Sequence, residues 1–124
     1  MQLTHELPDY RYILRFADGH SARVNDRVLT SSFILSPDTL IESWSGTDVP
    51  SLTNAQLEPL LALSPELVLL GTGETQIFPA PATMVMFMSR GIGVEIMNNA
   101  AAARTYNVLA SEGRRVAAGF LLQP

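Results

Sequence analysis

The 124-residue chain has no cysteine, no lysine and only two histidines, His5 and His20. Lacking cysteine, it has no disulfide, thiolate nucleophile, Cys-ligated zinc or iron–sulfur cluster. Lacking lysine, it has no Schiff base, no phosphate-loop lysine and no lysine general base; all eight of its cations are arginines. A serine–histidine relay or a histidine metal site has to use His5 or His20. Both lie in the N-terminal third without ligand-like spacing, and isolated histidines of this kind belong to solvated loops. No catalytic residue, cofactor site or metal site is assigned. A net charge of −4 and a pI near 5.0 leave no basic stripe for nucleic acid. No apolar run approaches the ~18 residues of a membrane span, and the N-terminus lacks a basic segment followed by an apolar one. The expected setting is the cytoplasm, without a membrane span.

The sequence is 47% hydrophobic and 16% charged, the balance of a packed globular chain. One domain over residues 1–124 is the expectation, burying roughly two-thirds of the unfolded surface. Its organising stretch is Leu67-Val68-Leu69-Leu70, an apolar run without alternation, as in a strand covered on both faces. It stops at Gly71-Thr72-Gly73.

Antiparallel β precedes this strand, after a loose lead-in over residues 1–9. The alternation of Tyr10, Tyr12, Leu14 and Phe16 against Arg11 and Arg15 predicts a strand, and Asp18-Gly19 a hairpin. Ser21–Val24, Arg27–Leu35 and Leu40–Ser45 are further strands, with a turn at Asn25-Asp26. Trp44, the only tryptophan, is read as core or sheet-edge packing. Thr53–Leu63 is a short helix with Leu57, Leu60 and Leu61 on one side and Pro59 as an awkward member.

After Gly73 the chain alternates. Glu74–Phe78 is extended, and a helix starts near Pro81 and ends at Gly91. Ile92–Met97 is a strand; a helix capped by Asn98-Asn99 runs to Gly113; Val116–Leu122 is a last, central strand. The fold class is therefore α/β with α+β character. It is a three-layer domain on a mixed central sheet, with N-terminal antiparallel strands followed by β-α-β-α-β and right-handed crossovers.

Three features are candidates for chemistry. Gly71-Thr72-Gly73 lies beyond the carboxyl end of a central strand, where open α/β sheets bind ligands. It is neither a dinucleotide fingerprint nor a Walker loop, and a tight turn is the competing reading. On the 100–112 helix, Ala102, Ala103, Tyr106, Leu109 and Ala110 face the core, while Arg104, Asn107 and Ser111 line the opposite stripe. Arg104 near the helix start suits a carboxylate or phosphate, and an exposed ion pair is the alternative. Glu95, alone in an apolar strand, is expected to be buried and to contact Arg90 or Arg104.

Three blocks, Arg90-Gly91-Ile92-Gly93-Val94-Glu95, Ala102-Ala103-Arg104-Thr105-Tyr106-Asn107 and Glu112–Ala118, resemble a small-domain family. Gly71-Thr72-Gly73 followed by Phe78-Pro79 carries the same resemblance. The family includes mitochondrial complex I assembly factor 3, and its prokaryotic members are mostly of unknown function. The resemblance implies a three-layer domain with a mixed sheet, and action by binding other assembly proteins; it supplies no catalytic residue. His5, Glu6 and Asp9 stand where a mitochondrial targeting segment would be Arg-rich and acid-poor.

The leading expectation is a non-enzymatic domain acting through protein contacts or self-association. The rival is an anionic small-molecule binder or unassigned enzyme using a cleft formed by Gly71, Thr72, Gly73, Glu95, Arg104 and Asn107. The expected partner surface is Met86 with Arg90, because Met84, Val85, Phe87 and Met88 fill a core-facing arc and leave Met86 on the polar side.

Overall fold

The computed structural model describes residues 10–123. The lead-in over residues 1–9, with His5, lies outside the described residues. Strands β1 (Leu14–Ala17), β2 (Ala22–Val24) and β3 (Arg27–Leu29) form an antiparallel three-stranded sheet. Strands β4 (Phe33–Leu35), β5 (Leu40–Ile41), β6 (Leu67–Gly71), β7 (Gly93–Met97) and β8 (Val116–Phe120) form a mixed sheet in the order β5-β4-β8-β6-β7. Helices α1 (Asn54–Leu61), α2 (Pro81–Ser89) and α3 (Asn99–Ser111) complete the fold.

The C-terminal half matches the pattern in the sequence. β6 pairs in parallel with β7 on one side and β8 on the other, and β8 is the middle strand of the five. Val68 and Leu70 face α1 and α2 in one core cluster. Leu69, Ala118 and Phe120 face α3 and the three-stranded sheet in a second cluster. The layers are therefore α1 with α2, the mixed sheet, and α3 with the small sheet.

The helices begin and end as their residues dictate. Thr53 caps α1 through a reciprocal capping box with Gln56, and Pro59 is carried inside the helix. Asn98 Oδ1 accepts from the Ala101 N–H at the start of α3. Helices α2 and α3 both close with paired backbone bonds: Gly91 N to Met88 O and Ile92 N to Phe87 O, then Gly113 N to Ala110 O and Arg114 N to Leu109 O. This closure needs a left-handed residue, and Gly91 and Gly113 stand at φ +71° and +77°.

The chain departs from the expected pattern in four places, three of them in the N-terminal half. A bulge lies between Leu14 and Phe16 in the β1–β2 register. It turns Phe16 outward beside Arg15 and brings Ala17 into the core, so period two fails after Leu14. Arg27–Leu35 is two strands in two sheets, because Thr30, Ser31 and Ser32 turn the chain between β3 and β4. Ser32 Oγ then accepts from Leu122 N and donates to Leu122 O, standing in for a strand neighbour. β5 ends at Ile41; Ser43 has φ +60°, and Trp44 packs against Gly119 with its indole N–H donated to Gln56 O at 2.7 Å. Finally, Glu74–Phe78 is not extended. Thr72 Oγ1 donates to Thr75 O and accepts from Ile77 N, which folds the segment back on itself.

Candidate functional site

The crevice at the carboxyl ends of β6 and β7 is the place where an open α/β sheet would receive a ligand. Here the chain itself takes up the backbone groups that would face a ligand. Thr72 N donates to Met97 O at 2.8 Å, Gly73 N donates to Asn99 Oδ1 at 3.1 Å, and Gly73 O accepts from Asn99 N at 2.8 Å. Asn99 is fully buried, and its Nδ2 donates to Asp18 O and Leu121 O. One side chain thus ties the β1–β2 turn, the β6 end and the β8 end together. Gly71 is required by this closeness, since a Cβ there would run into Asn99 Oδ1 and the Phe120 ring. The glycines serve a packed junction, with the N–H groups of Thr72 and Gly73 already spent.

The other members of the expected cleft lie elsewhere. Arg104 and Asn107 line a groove of about 210 Å³ between α3 and β1, whereas Thr72 and Gly73 line a separate hollow of about 190 Å³ with His20 and Glu74. Asn107 is structural: its Nδ2 donates to Leu14 O at 2.7 Å, and its Oδ1 accepts from Leu14 N and the Tyr10 hydroxyl. Arg104 forms no ion pair among the described residues. Glu95 is exposed, which corrects the expectation of burial beside an arginine. β7 is an edge strand, and Glu95 sits in register with the buried Leu69 but one strand further out, past the cover that α3 gives β6. Apolar neighbours in sequence mark a covered strand only when helices reach both faces.

A further concavity lies at the opposite end of the sheet. A cavity of about 320 Å³ opens between the α3 C-terminus, the β4–β5 turn and the segment before β6, lined by Tyr10, Asp38, Leu63, Pro65, Arg114 and Arg115 among others. It alone of the three reaches the size range of small-molecule sites. Glu66 organises its rim. Its Oε1 accepts from Arg115 N at 3.1 Å and its Oε2 meets Arg114 Nη2 at 3.4 Å. These bonds, the backbone one foremost, hold the Glu66 carboxyl below its ordinary range. Arg115 Nε donates to Ser64 O. Tyr10 packs edge-on against Tyr106, and burial raises both phenols.

Helix α2 presents a different surface. No charged residue occurs between Glu74 and Arg90. Phe87 is buried, Met84 and Met86 pack partly against the same core, and Val85 and Met88 are 58% and 66% exposed. The inward arc is thus centred on Thr83 and Phe87, about 100° from the expected one at 100° per residue. Met86 is on its flank and not on a polar outer face. With apolar residues all around α2, the sequence could not fix its rotation. Pro81, Val85 and Met88 line the outer stripe, and Phe78, 65% exposed, precedes it. Arg90 pairs with Glu58 of α1 at 3.5 Å. The charge-free run was the available sign of this surface; the cavity had only the adjacent Arg114 and Arg115.

Among the described residues no group of three or more His, Asp or Glu side chains is placed to hold a metal ion, and no helix is long and apolar enough to cross a membrane.

Comparison with known proteins agrees with the fold. The NMR structure of a Xanthomonas campestris protein is 53% identical, superimposes with a TM-score of 0.83, and is matched over 98% of this chain and 92% of that one. A Francisella tularensis protein named 13 kDa major membrane protein is 36% identical over 56% of each chain. A mouse protein named NADH dehydrogenase [ubiquinone] 1 alpha subcomplex assembly factor 3 is 27% identical over 98% of this chain and 66% of its own length. The match spans 56% to 66% of the length of these curated relatives. A family model described as protein of unknown function (DUF498/DUF598) matches residues 16–121, and the chain belongs to that family.

Proposed function

We propose that this protein acts without catalysis, by docking another protein through the outer stripe of α2 and the adjoining Phe78, in the assembly of a larger complex. The observation that carries this reading is the charge-free, solvent-facing stripe of Pro81, Val85 and Met88. Scattered exposed apolar residues are ordinary on any surface. A helix that exposes Val85 and Met88 one turn apart, with no charge along its nine residues, is not scattered. Methionine suits such a face because its thioether repacks against differently shaped partners at little cost. The name of the mouse relative, an assembly factor, favours the same reading. The setting is the cytoplasm, and the partner is a protein or a second copy of this chain.

The test is the double variant Val85→Glu, Met88→Gln. Both side chains are solvent-exposed, so unfolding stability should stay within about 0.5 kcal/mol of wild type. Self-association by sedimentation velocity, or recovery of a partner in side-by-side pull-downs from the native host, should fall at least tenfold. Unchanged association in both assays overturns the reading.

A further inference from the structure

The cavity beneath Arg115 is not needed for docking through α2, and its lining has a chemistry of its own. Its walls are mostly apolar, with Leu63, Pro65, Ala110 and Val116 among them. At the rim stand two guanidinium groups of different availability. Arg114 is engaged by Glu66, whereas Arg115 uses only Nε, on Ser64 O, and its two terminal nitrogens have no partner among the described residues. The α3 carbonyls nearest the cavity are already bonded, Leu109 O to Arg114 N and Ala110 O to Gly113 N, so little unpaired negative charge from the helix end opposes an anion. The lining also includes the exposed Asp38, at the tip of a turn closed by mutual Ser36–Thr39 backbone bonds. Asp38 forms no ion pair among the described residues.

A guanidinium with two free terminal NH2 groups, a carboxylate in the same lining and apolar walls ask for three features in one ligand. The planar fork of Arg115 selects a carboxylate. Asp38 rejects a bare anion and accepts one that carries an N–H donor next to the acid. The volume, at the small end of ligand pockets, admits one apolar side chain. We propose that this cavity binds an acylated α-amino acid carboxylate with an apolar side chain, the chemistry shared by a peptide C-terminus and a free N-acyl amino acid. Arg115 holds the carboxylate, Asp38 receives the amide N–H, and the Leu63–Pro65–Val116 wall takes the side chain.

The experiment is a titration of the full chain, followed by amide chemical shifts, with three probes. These are N-acetyl-leucine, a tetrapeptide ending in leucine with a free carboxylate, and the same tetrapeptide as its C-terminal amide. Saturable shifts confined to residues around Leu63, Gly113, Arg115 and Val116 are expected with at least one of the two acids. Binding by the free acid alone identifies a small metabolite as the source, and tighter binding by the tetrapeptide identifies a protein terminus. The C-terminal amide should bind at least tenfold more weakly, as should Arg115→Gln against either acid, since a charge-assisted bond is lost in each case. Arg104→Gln, in a different groove, should match wild type. If neither acid shifts these amides at millimolar concentration, the proposal is overturned. It is overturned equally if the amide binds as well as the acid, or if an Arg115→Gln protein with a wild-type melting temperature binds unchanged.

Discussion

Helices α2 and α3 each follow a strand of the same parallel pair and end in the same backbone motif, yet they are held to the protein by opposite means. α3 buries Ala102, Ala103, Tyr106, Leu109 and Ala110, and also sends polar side chains into backbone bonds with other segments. Asn99 reaches Gly73, Asp18 and Leu121; Tyr106 reaches Tyr12; Asn107 reaches Leu14. α2 fully buries Phe87 alone, and its only side-chain hydrogen bond among the described residues, Ser89 Oγ to Met86 O, is internal. A helix tied by directional bonds has one seating. A helix held by a single aromatic and two flanking methionines keeps an apolar outer face available. The contrast gives α3 the integrity of the fold and leaves α2 as the surface proposed above for contacts.

The sharpest way to break that assignment is at Asn99. Asn99→Ala removes one acceptor and two donors from a fully buried site, stranding Gly73 N and weakening Asp18 O and Leu121 O. Unsatisfied buried groups cost about 1–3 kcal/mol each, so a loss of about 3–5 kcal/mol is expected in denaturant unfolding. A loss below about 1 kcal/mol would show that the junction is not what seats α3.

A smaller effect is expected at Tyr106. Its hydroxyl donates to Tyr12 O at 2.7 Å, and burial pushes the phenol far above its ordinary range. Tyr106→Phe keeps the packing and deletes the donor, for an expected cost of about 1–2 kcal/mol. Because the phenol stays protonated in the folded state, the wild-type protein should show no tyrosinate signal from Tyr106 near pH 10 until it unfolds.

Much of this contrast was legible in the residues, and some of it was not. α3 was readable because alanine, tyrosine and leucine recur at helical spacing on one side and polar residues on the other. The same alternation of patterns located β6, α2, β7 and β8. Arg104 and Asn107 share one stripe of the helix, but a stripe shows only that residues share a helix face. Asn107 turned out to meet β1, and Gly71–Gly73 to meet Asn99; both are long-range pairings that no local pattern encodes. The burial expected of Glu95 fails because an apolar strand at a sheet edge reads like a covered one. The rotation of α2 was hidden because a helix that is apolar on all sides has no preferred face. The bulge at Leu14–Phe16 escaped for a related reason, since one inserted residue reverses the inward and outward sides without changing composition.

The smallest expected effect separates the two helices by pH. α2 carries no titratable side chain, so acid acts on the fold through other groups. Two such groups flank the α3 side of the molecule. Asp18 accepts from His20 N and Ser21 N at 2.8 Å, and Glu66 accepts from Arg115 N with Arg114 beside it; in both, the backbone bonds foremost hold the carboxyl below its ordinary range. A carboxyl that is more acidic folded than unfolded contributes stability that is complete above its unfolded pKa. That stability is lost as pH falls through the folded value. The window therefore opens below about pH 4, the ordinary range of these groups. Asp18 is exposed and Glu66 partly so, and the acid limb should therefore be shallow. Asp18→Asn retains an oxygen for the two turn N–H groups, and Glu66→Gln retains one for Arg115 N, so stability at neutral pH should change little. The difference between pH 7 and pH 3 should shrink in each variant and shrink most in the double variant. A double variant with the full wild-type acid sensitivity would move that sensitivity to other carboxylates and detach it from the junctions that hold α3.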